Sequence, residues 1–557
     1  MRSATPGQWA VFYIAASFLG CASPAPGNHQ PFYFVQHMDG AEAVFDAIQF
    51  RSVRKDGLLY SPVTMSDETQ LSMTPPLPSK LTFTVHVPRD PELRFSIGAT
   101  RIGEASLPAP VVFRLHIDAG DTPELCFSET IARSRAQVWN YRRVDLSRWS
   151  GKEVRLTFET SLGERQRVPS SQPFSTMQLP VLASWGNPVL TSVSAPTDEP
   201  HLILISLDCL RFDHMGVYGY SRATTPRIDQ FARDAMVFEN AVSASSWTLP
   251  THMSMLTGLP PSFHGASKWR RLDDSVPYLP EWLAQSGYQT VGIASWVYVS
   301  QAFGFDRGFH VYRVLDQPRA EVVVDEALKV LRDSRGQKLF LFLHFFDPHW
   351  RYLPPRDFID RFGARPDDVS GLLDMVADGL PPPSTKEIRQ VMALYDAETA
   401  YMDGEIGRFL EALEEMGMYD SSLIIVTADH GESFYEHGHW EHTQTLYDEL
   451  TRIPLIVKWP HSTPKGSYKQ PVGQVDIFPT LLEGAGIEPP SAGLRHLGRG
   501  SGEGNRNQIT SEVTWIAPEA TTMKVSLRSD QTKYIATLVG PTGDPLAARD
   551  ITQEELY

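Results

Sequence analysis

Cysteine is scarce in this chain, with only Cys21, Cys126 and Cys209 among 557 residues. Three cysteines exclude a disulfide framework. Basic charge is in deficit as well: 50 Lys and Arg against 66 Asp and Glu leave a formal net charge of −16. Sequence-independent nucleic-acid binding depends on Lys and Arg neutralising phosphates, so nucleic acid is excluded as a general partner. An anionic group can still be held locally by a metal and a few cations. Long apolar runs are missing too. The longest N-terminal stretch, Trp9 to Leu19, is too short to span a bilayer, and no later run qualifies. No internal repeat is visible. What remains is an ordinary globular composition, 42% hydrophobic, in a chain long enough for more than one domain.

The organisation reads in five parts. Residues 1–21 fit a signal peptide: Arg2, the apolar stretch, then Phe18-Leu19-Gly20-Cys21, which resembles a bacterial lipobox with Phe where Leu is usual. Lipid attachment at Cys21, or ordinary cleavage to a periplasmic or secreted form, both place the mature protein outside the cytoplasm. A membrane enters only through that anchor. Residues 22–30 (ASPAPGNHQ) read as a tether. Residues 31–194 carry short alternating segments, LTFTVHV, ELRFSIGA, VVFRLHI and VRLTFET, bounded by Pro, Gly and Asp. They predict a β-sandwich, and the stretch WNYRRVDLSRWSGKEVRLTFET resembles a galactose-binding-like jelly roll. This unit is expected either to bind a glycan or to pack on its neighbour. Ala195–Pro200 is the expected linker.

Beyond it, strands alternate with helices, which implies α/β with a mostly parallel sheet flanked by helices. Expected strands cover 202–207, 290–295, 339–346, 423–428 and 454–459, with apolar runs suited to burial on both faces. Helices are expected at Pro226–Met236, Tyr278–Ser286, Arg319–Arg335, Ser384–Met416 and 475–486. The catalytic unit is placed at 200–490; residues 491–557 are read as a Gly/Arg-rich mobile loop and a small C-terminal sheet.

Two segments share one chemistry. The strand ILISL ends at Asp208, and LIIVT-Ala428 ends at Asp429-His430. Ligands of open α/β sheets bind at the carboxyl ends of strands. Two such ends carrying Asp, Asp and His predict one divalent metal held by Asp208, Asp429 and His430. Between them, Thr248 in Trp-Thr-Leu-Pro-Thr-His reads as a hydroxyl nucleophile facing that metal. The bland alternatives are a strand-end acid capping a turn, a polar core histidine and a helix-capping threonine.

The stretches LDCLRFDHMGVYGY, SSWTLPTHMSMLTG, HFFDPHWRYLPP, YDAETAYMD, TADHGESFYEHG and TLYDELTRIPLIV resemble, in order, the sulfatases of the alkaline-phosphatase superfamily. The resemblance implies an α/β hydrolase of sulfate or phosphate esters with a bound divalent metal, calcium first, with magnesium, manganese or zinc as alternatives. It also marks departures. Cys209 stands where the family has a second Asp, and a thiol is a poor substitute for an oxygen donor to calcium. Thr248-Leu249-Pro250-Thr251-His252 replaces the Cys/Ser-x-Pro-Ser-Arg motif, so no formylglycine is expected. Neither Cys126 nor Cys209 supplies that motif elsewhere. His252 takes the place of an Arg; His349 matches a histidine at the ester oxygen. His437 and His442 lie where a lysine or histidine neutralises the transferring group, and His439 reads as exposed. The family's Gly-Lys-Trp-His segment is absent, with Lys268 or Arg271 as substitutes. A second metal requires Asp347, His349 and His442 to converge. Related chains run on past Glu-Leu-Tyr, so a shortened C-terminus is expected.

These readings imply a hydrolase of sulfate esters working through a covalent intermediate on Thr248, with His349 or His437 protonating the departing alcohol. A phosphodiesterase, phosphomonoesterase or phosphotransferase on the same scaffold is the alternative that Thr248 favours. A non-catalytic glycan-binding protein with a degenerate site is the third reading. The expected partner is a sulfated or phosphorylated small molecule or glycan.

Overall fold

A computed structural model describes residues 31–489 apart from 41, 46–59, 76, 102–106, 108, 121, 133–136, 164–180, 194–198 and 369–381. Beyond these it describes Leu497 and residues 509–516, 521–529, 532–540 and 550–556. The signal and lipobox segment, the tether, most of the expected linker and nearly all of the Gly/Arg-rich loop lie outside the described residues. No helix among the described residues is long and apolar enough to cross a membrane.

The central strands follow from uninterrupted apolar runs. Leu202–Leu207, Leu339–Phe345 and Leu423–Ala428 are buried at every position. Removing each Leu, Ile or Phe side chain from water is worth about 1.5–3 kcal/mol, which a strand covered on both faces collects at every residue. The Leu202–Leu207 strand runs parallel to both of the others and lies between them. Gln289–Ala294 and Val311–Val314 extend the sheet in parallel, and Leu455–Lys458 pairs antiparallel on the opposite side. Helices Ala320–Asp333 and Thr385–Glu415 lie within a residue or two of their expected bounds. The second starts on a capping box, with Ser384 and Glu387 bonding each other's backbone N–H groups. The expected helix from Pro226 is shorter, Pro226–Phe231, and gives way to a 3-10 turn over Ala232–Asp234.

The N-terminal region is β-rich, as expected. A five-stranded sheet contains Glu42–Phe45, Ser79–His86, Glu153–Leu162, Val111–Asp118 and Glu124–Ile131, in that order. It shares one apolar core with Glu68–Met73, Val181–Ser192, Pro91–Arg101 and Asn140–Asp145 of a second sheet, centred on the fully buried Trp185. That second sheet is continuous with the catalytic one. Glu68–Met73 pairs antiparallel with Val311–Val314, through Val311↔Gln70, Tyr312↔Thr69 and Arg313↔Glu68. The join is therefore a hydrogen-bonded seam as well as a chain connection. Four antiparallel strands, Ile509–Ile516, Thr521–Arg528, Lys533–Gly540 and Asp550–Leu556, make the expected C-terminal sheet.

Candidate active site

The register of three strands builds the site. Leu207 stands opposite both Phe345 and Ala428. The next residues along the two acid-bearing strands, Asp208 and Asp429, therefore leave the sheet at the same level. Both are fully buried, as are His430 and His344. Ligand atoms of Asp208, Asp429 and His430 all lie within 4.8 Å of one another. His430 Nε2 is 3.3 Å from Asp429 Oδ2 and 3.6 Å from Asp208 Oδ1.

Hydrogen bonds decide what each imidazole can do. His430 Nδ1 lies 2.8 Å from the Gly431 carbonyl, which can only accept. The proton is on Nδ1, and Nε2 offers a lone pair to the two carboxylates. His344 is the reverse. Its Nδ1 accepts from the Ser295 N–H at 3.2 Å, so a neutral ring carries its proton on Nε2, 3.4 Å from Asp208 Oδ2. In this tautomer it turns an N–H rather than a lone pair toward Asp208, although its ring also falls in a ligand-atom group with His252 and Asp429. At 3.4 Å the contact with Asp208 is not a closed hydrogen bond: His344 Nε2, like Asp208 Oδ2, Asp429 Oδ2 and His430 Nε2, has no hydrogen-bond partner in the structure. Three converging buried acceptors without a hydrogen-bonded donor fit a divalent cation, and the Gly431 carbonyl that fixes the His430 ring is the kind of outer partner that holds a metal ligand in place.

Charge tells the same story. Burial works against ionising Asp208, but His349, His344 and His430 outweigh it and hold its carboxyl well below the usual range. Burial and then the Asp208 charge push Asp429 well above. Two carboxylates so close accommodate one negative charge easily and two only with a cation between them.

Thr248 is the first residue of the Thr248–Thr257 helix, and Trp247 is its cap position. The capping alternative for Thr248 thus fails at this position. His252, one turn later, donates Nδ1–H to the Thr248 carbonyl at 2.7 Å, while Nε2 faces Ser206 Oγ at 2.9 Å. Burial, then the neighbouring His344, push its pKa down to about 3. His252 is therefore a neutral post under Thr248, without the charge an Arg would carry there. Its Nδ1 also lies 3.7 Å from Asp429 Oδ2, which ties the start of the helix to the metal-type cluster.

His349 donates Nδ1–H to the Trp350 carbonyl and stacks on Phe346, centroids 4.5 Å apart. His442 sits edge-on to His349 at 5.0 Å and 4.5 Å from the His430 ring. Its Nδ1 lies 3.1 Å from Glu432 Oε1, and Glu432 is fully buried. Cys209, at φ 63°, donates S–H to Asp208 Oδ1 at 3.3 Å and its backbone N–H to Asp429 Oδ1 at 3.2 Å. Burial and then Glu432, Asp208 and Asp429 keep the thiol protonated. Cys209 Sγ lies within 4.8 Å of ligand atoms of His430 and His442 in one group and of Asp208 and His349 in another.

Other expectations are not brought together. His437 is half-exposed, bonded to Glu449 at 2.7 Å and stacked on Tyr447 at 3.7 Å, in a small cavity with Arg528 and Lys533. It is not among the clustered ligand atoms of the described residues. Asp347 bonds Glu398 and belongs to none of the ligand groups found there, so the convergence of Asp347, His349 and His442 does not form. Lys268 lies over the Trp269 ring and Arg271 packs at Gly304, with no contact to the cluster shown for either. Sequence reasoning missed His344, whose signal was a lone polar residue within LFLFLHFF. It also missed Gln474, which donates Nε2–H to the Ala428 and Asp429 carbonyls at 2.9 and 2.6 Å.

The sulfatase family model matches residues 200–487, more than half of the chain. The chain belongs to the sulfatase family. Within it, this member is 24% identical over 420 residues to an N-acetylglucosamine-6-O-sulfatase of Bacteroides thetaiotaomicron, covering 58% of the chain and 74% of the relative. It is 25% identical to human iduronate 2-sulfatase, over 54% of the chain and 71% of that protein. Among solved structures, it matches one in complex with D-glucosamine-2-N,6-O-disulfate at a TM-score of 0.52 and 20% identity, covering 65% of this chain and 91% of that one. The phosphonate monoester hydrolase of Agrobacterium radiobacter matches at 0.52 and 18%, covering 62% and 89%. These structural likenesses establish the fold. Membership makes the chain an ester hydrolase of the sulfuric or phosphoric type, from a family that typically binds a divalent metal.

Proposed function

We propose that this sulfatase-family chain is a metal-dependent hydrolase that cleaves a phosphoric ester through a covalent intermediate on Thr248. The carrying observation is the junction of Thr248, through His252, with the Asp208–Asp429–His430 cluster. Asp208, Asp429 and His430 would hold a divalent cation, which would lower the pKa of a nearby hydroxyl and offset charge on the transferring group. Calcium follows from family resemblance. The donor set argues for zinc or manganese: an imidazole among the ligands, with His349, His442 and Cys209 alongside, is unlike the six to eight oxygens calcium prefers.

The chain's own groups supply the rest. Thr248, its hydroxyl proton already given up to solvent, attacks phosphorus through Oγ as the bond to the leaving alcohol breaks, and it is this deprotonated oxygen that the later hydrolysis releases. His442, with Nδ1–H on Glu432, delivers a proton to that alcohol, and His349 contacts the ester oxygens. Water then attacks the threonyl ester, giving its proton to His442 and releasing Thr248. A threonine cannot become the formylglycine aldehyde, so release by water is required whichever ester is cleaved.

Cleavage of a sulfuric ester is the second reading, favoured by the family match across residues 200–487. The names of the relatives, an N-acetylglucosamine-6-O-sulfatase and an iduronate 2-sulfatase, support a sugar as the alcohol portion. Phe18-Leu19-Gly20-Cys21 supports an extracytoplasmic, lipid-anchored location.

The test uses protein lacking residues 1–21 with aryl phosphate, aryl phosphodiester and aryl sulfate. Each is assayed with zinc, manganese, magnesium or calcium, against Thr248→Ala. Turnover of a phosphoric ester that falls about 10³-fold or more in Thr248→Ala supports the reading. Turnover of the sulfate alone moves the assignment to the sulfuric ester. Turnover that survives Thr248→Ala removes the nucleophile. No turnover together with no stoichiometric metal leaves a glycan-binding protein with a degenerate site.

A further inference from the structure

A cavity of about 610 Å³ lies over the seam where the catalytic sheet runs into the N-terminal sheet. Its floor comes from both: Gln289, Val291 and Ile293 of one strand, Asn187 and Val189 of another, with helix Ala320–Asp333 along one side. It stands apart from the catalytic cluster. Gln289 begins the strand whose far end leads to Ser295, the residue that bonds His344. Six residues of extended chain separate the two by roughly 20 Å.

Three features of the lining describe its occupant. Asn187 Oδ1 and Gln289 Oε1 are acceptors on side chains each 8% exposed, and neither has a hydrogen-bond partner in the structure. Buried acceptors of this kind are normally satisfied, so they call for a donor from the cavity. The rim supplies the opposite chemistry. Arg94, Arg142, Arg143, Arg313, Lys329 and Arg332 line the cavity against Glu326 and Asp333, in a chain of net charge −16. Five of these six cations are paired with acids, Arg94 with Glu92, Arg142 with Glu129, Arg143 with Glu92 and Asp333, Arg313 with Glu68 and Glu326, and Lys329 with Glu326, yet a guanidinium has five donors and an ammonium three, so each retains some. Arg332 has no ion pair among the described residues. Between floor and rim, Tyr141 is 50% exposed as a residue, with its hydroxyl anchored on Glu68.

Simple ligands fail one of these conditions. An inorganic anion leaves the buried carbonyl oxygens without donors. An apolar molecule leaves both acceptors and cations unanswered. A peptide strand has no edge to pair with here, because the floor strands are bonded on both sides. A sugar ring supplies hydroxyl donors and a flat C–H face, and an acidic substituent answers the rim.

We propose that this seam cavity is a second carbohydrate site that takes a sugar bearing an acidic group, with hydroxyls on Asn187 Oδ1 and Gln289 Oε1, the ring on Tyr141 and the acid at Lys329 and Arg332. The site does not depend on which ester the catalytic cluster cleaves. The N-terminal region then holds glycan while packing on the catalytic unit.

Calorimetric titration of the Thr248→Ala chain separates the two sites without turnover. The probes are glucosamine 6-sulfate, glucuronate, unsubstituted glucosamine and inorganic sulfate. An acidic sugar is expected to bind in an event that weakens about tenfold or more in Gln289→Met and in Arg332→Ala. Either substitution in an otherwise unaltered chain leaves aryl-ester turnover unchanged. Arg332 is exposed, so its variant reports even if Gln289→Met misfolds. The proposal is overturned if neither acidic sugar binds, if binding is the same in Arg332→Ala, or if inorganic sulfate binds as tightly as the sugars.

Discussion

His344 is placed to orient Asp208 rather than to hold the metal, and the two roles differ by a measurable amount. Its Nδ1 accepts from the Ser295 N–H, leaving the Nε2 proton 3.4 Å from Asp208 Oδ2. His344→Leu removes that donor while all three proposed ligands remain. Loss of such an outer partner costs about 10–100-fold in metal affinity, or roughly 1.4–2.8 kcal/mol. The Ser295 N–H loses its acceptor at the same time, which costs folding stability about 1–3 kcal/mol. Competition between the protein and a chromophoric chelator for zinc measures the first quantity. Urea unfolding in excess chelator measures the second. An unchanged affinity refutes the orienting role. A loss far beyond about 100-fold, the scale of losing a ligand itself, shows that His344 coordinates and that its tautomer has been misjudged.

Three further outcomes follow from the same geometry. Chelation should lower the unfolding temperature, and returning zinc at roughly 100 times its Kd should restore about 2.7 kcal/mol; identical melting with and without chelator removes the metal from Asp208, Asp429 and His430. Gly431→Ala places a Cβ 2.0 Å from the Glu449 carbonyl oxygen and disturbs the carbonyl that anchors His430. It should cost about 1–3 kcal/mol and weaken metal binding, read by unfolding and zinc competition, and a neutral effect on both contradicts the packing. His310 is fully buried, and burial lowers its pKa to about 4 from 6.5. Between those values the unfolded chain takes up a proton that the folded chain refuses, so stability rises with pH through that window, by up to about 3 kcal/mol from this residue. His310→Phe should flatten that part of a pH series of urea unfolding, and an unaltered slope assigns the acid sensitivity elsewhere.

Local pattern carried much of the architecture. Leu202–Leu207 and Leu423–Ala428 form over the residues their apolar runs predict, and Thr385–Glu415 lies within one residue at each end. Burial on both faces of a parallel strand is written into consecutive residues, so a short window of sequence suffices. The acids at strand ends, Asp208 and Asp429, were legible for the same reason, as was Thr248 just before a helical run. The sulfatase-type motifs set the family through their order along the chain.

Pairing between distant segments was not legible, because a strand's neighbours leave no mark on its own composition. Leu207 opposite Ala428 and Phe345 is what turns two separate acids into one cluster. The direction of a histidine's proton is equally non-local: His430, His344 and His252 share a residue type, yet a carbonyl at Gly431, an N–H at Ser295 and a carbonyl at Thr248 give them three roles. His437 lies in a motif with His442, but stacks on Tyr447 beside the C-terminal sheet. The sequence by itself determined the strands, the helices and the donor types. The tertiary structure alone decided which donors meet, since that depends on strand register and on partners hundreds of residues away.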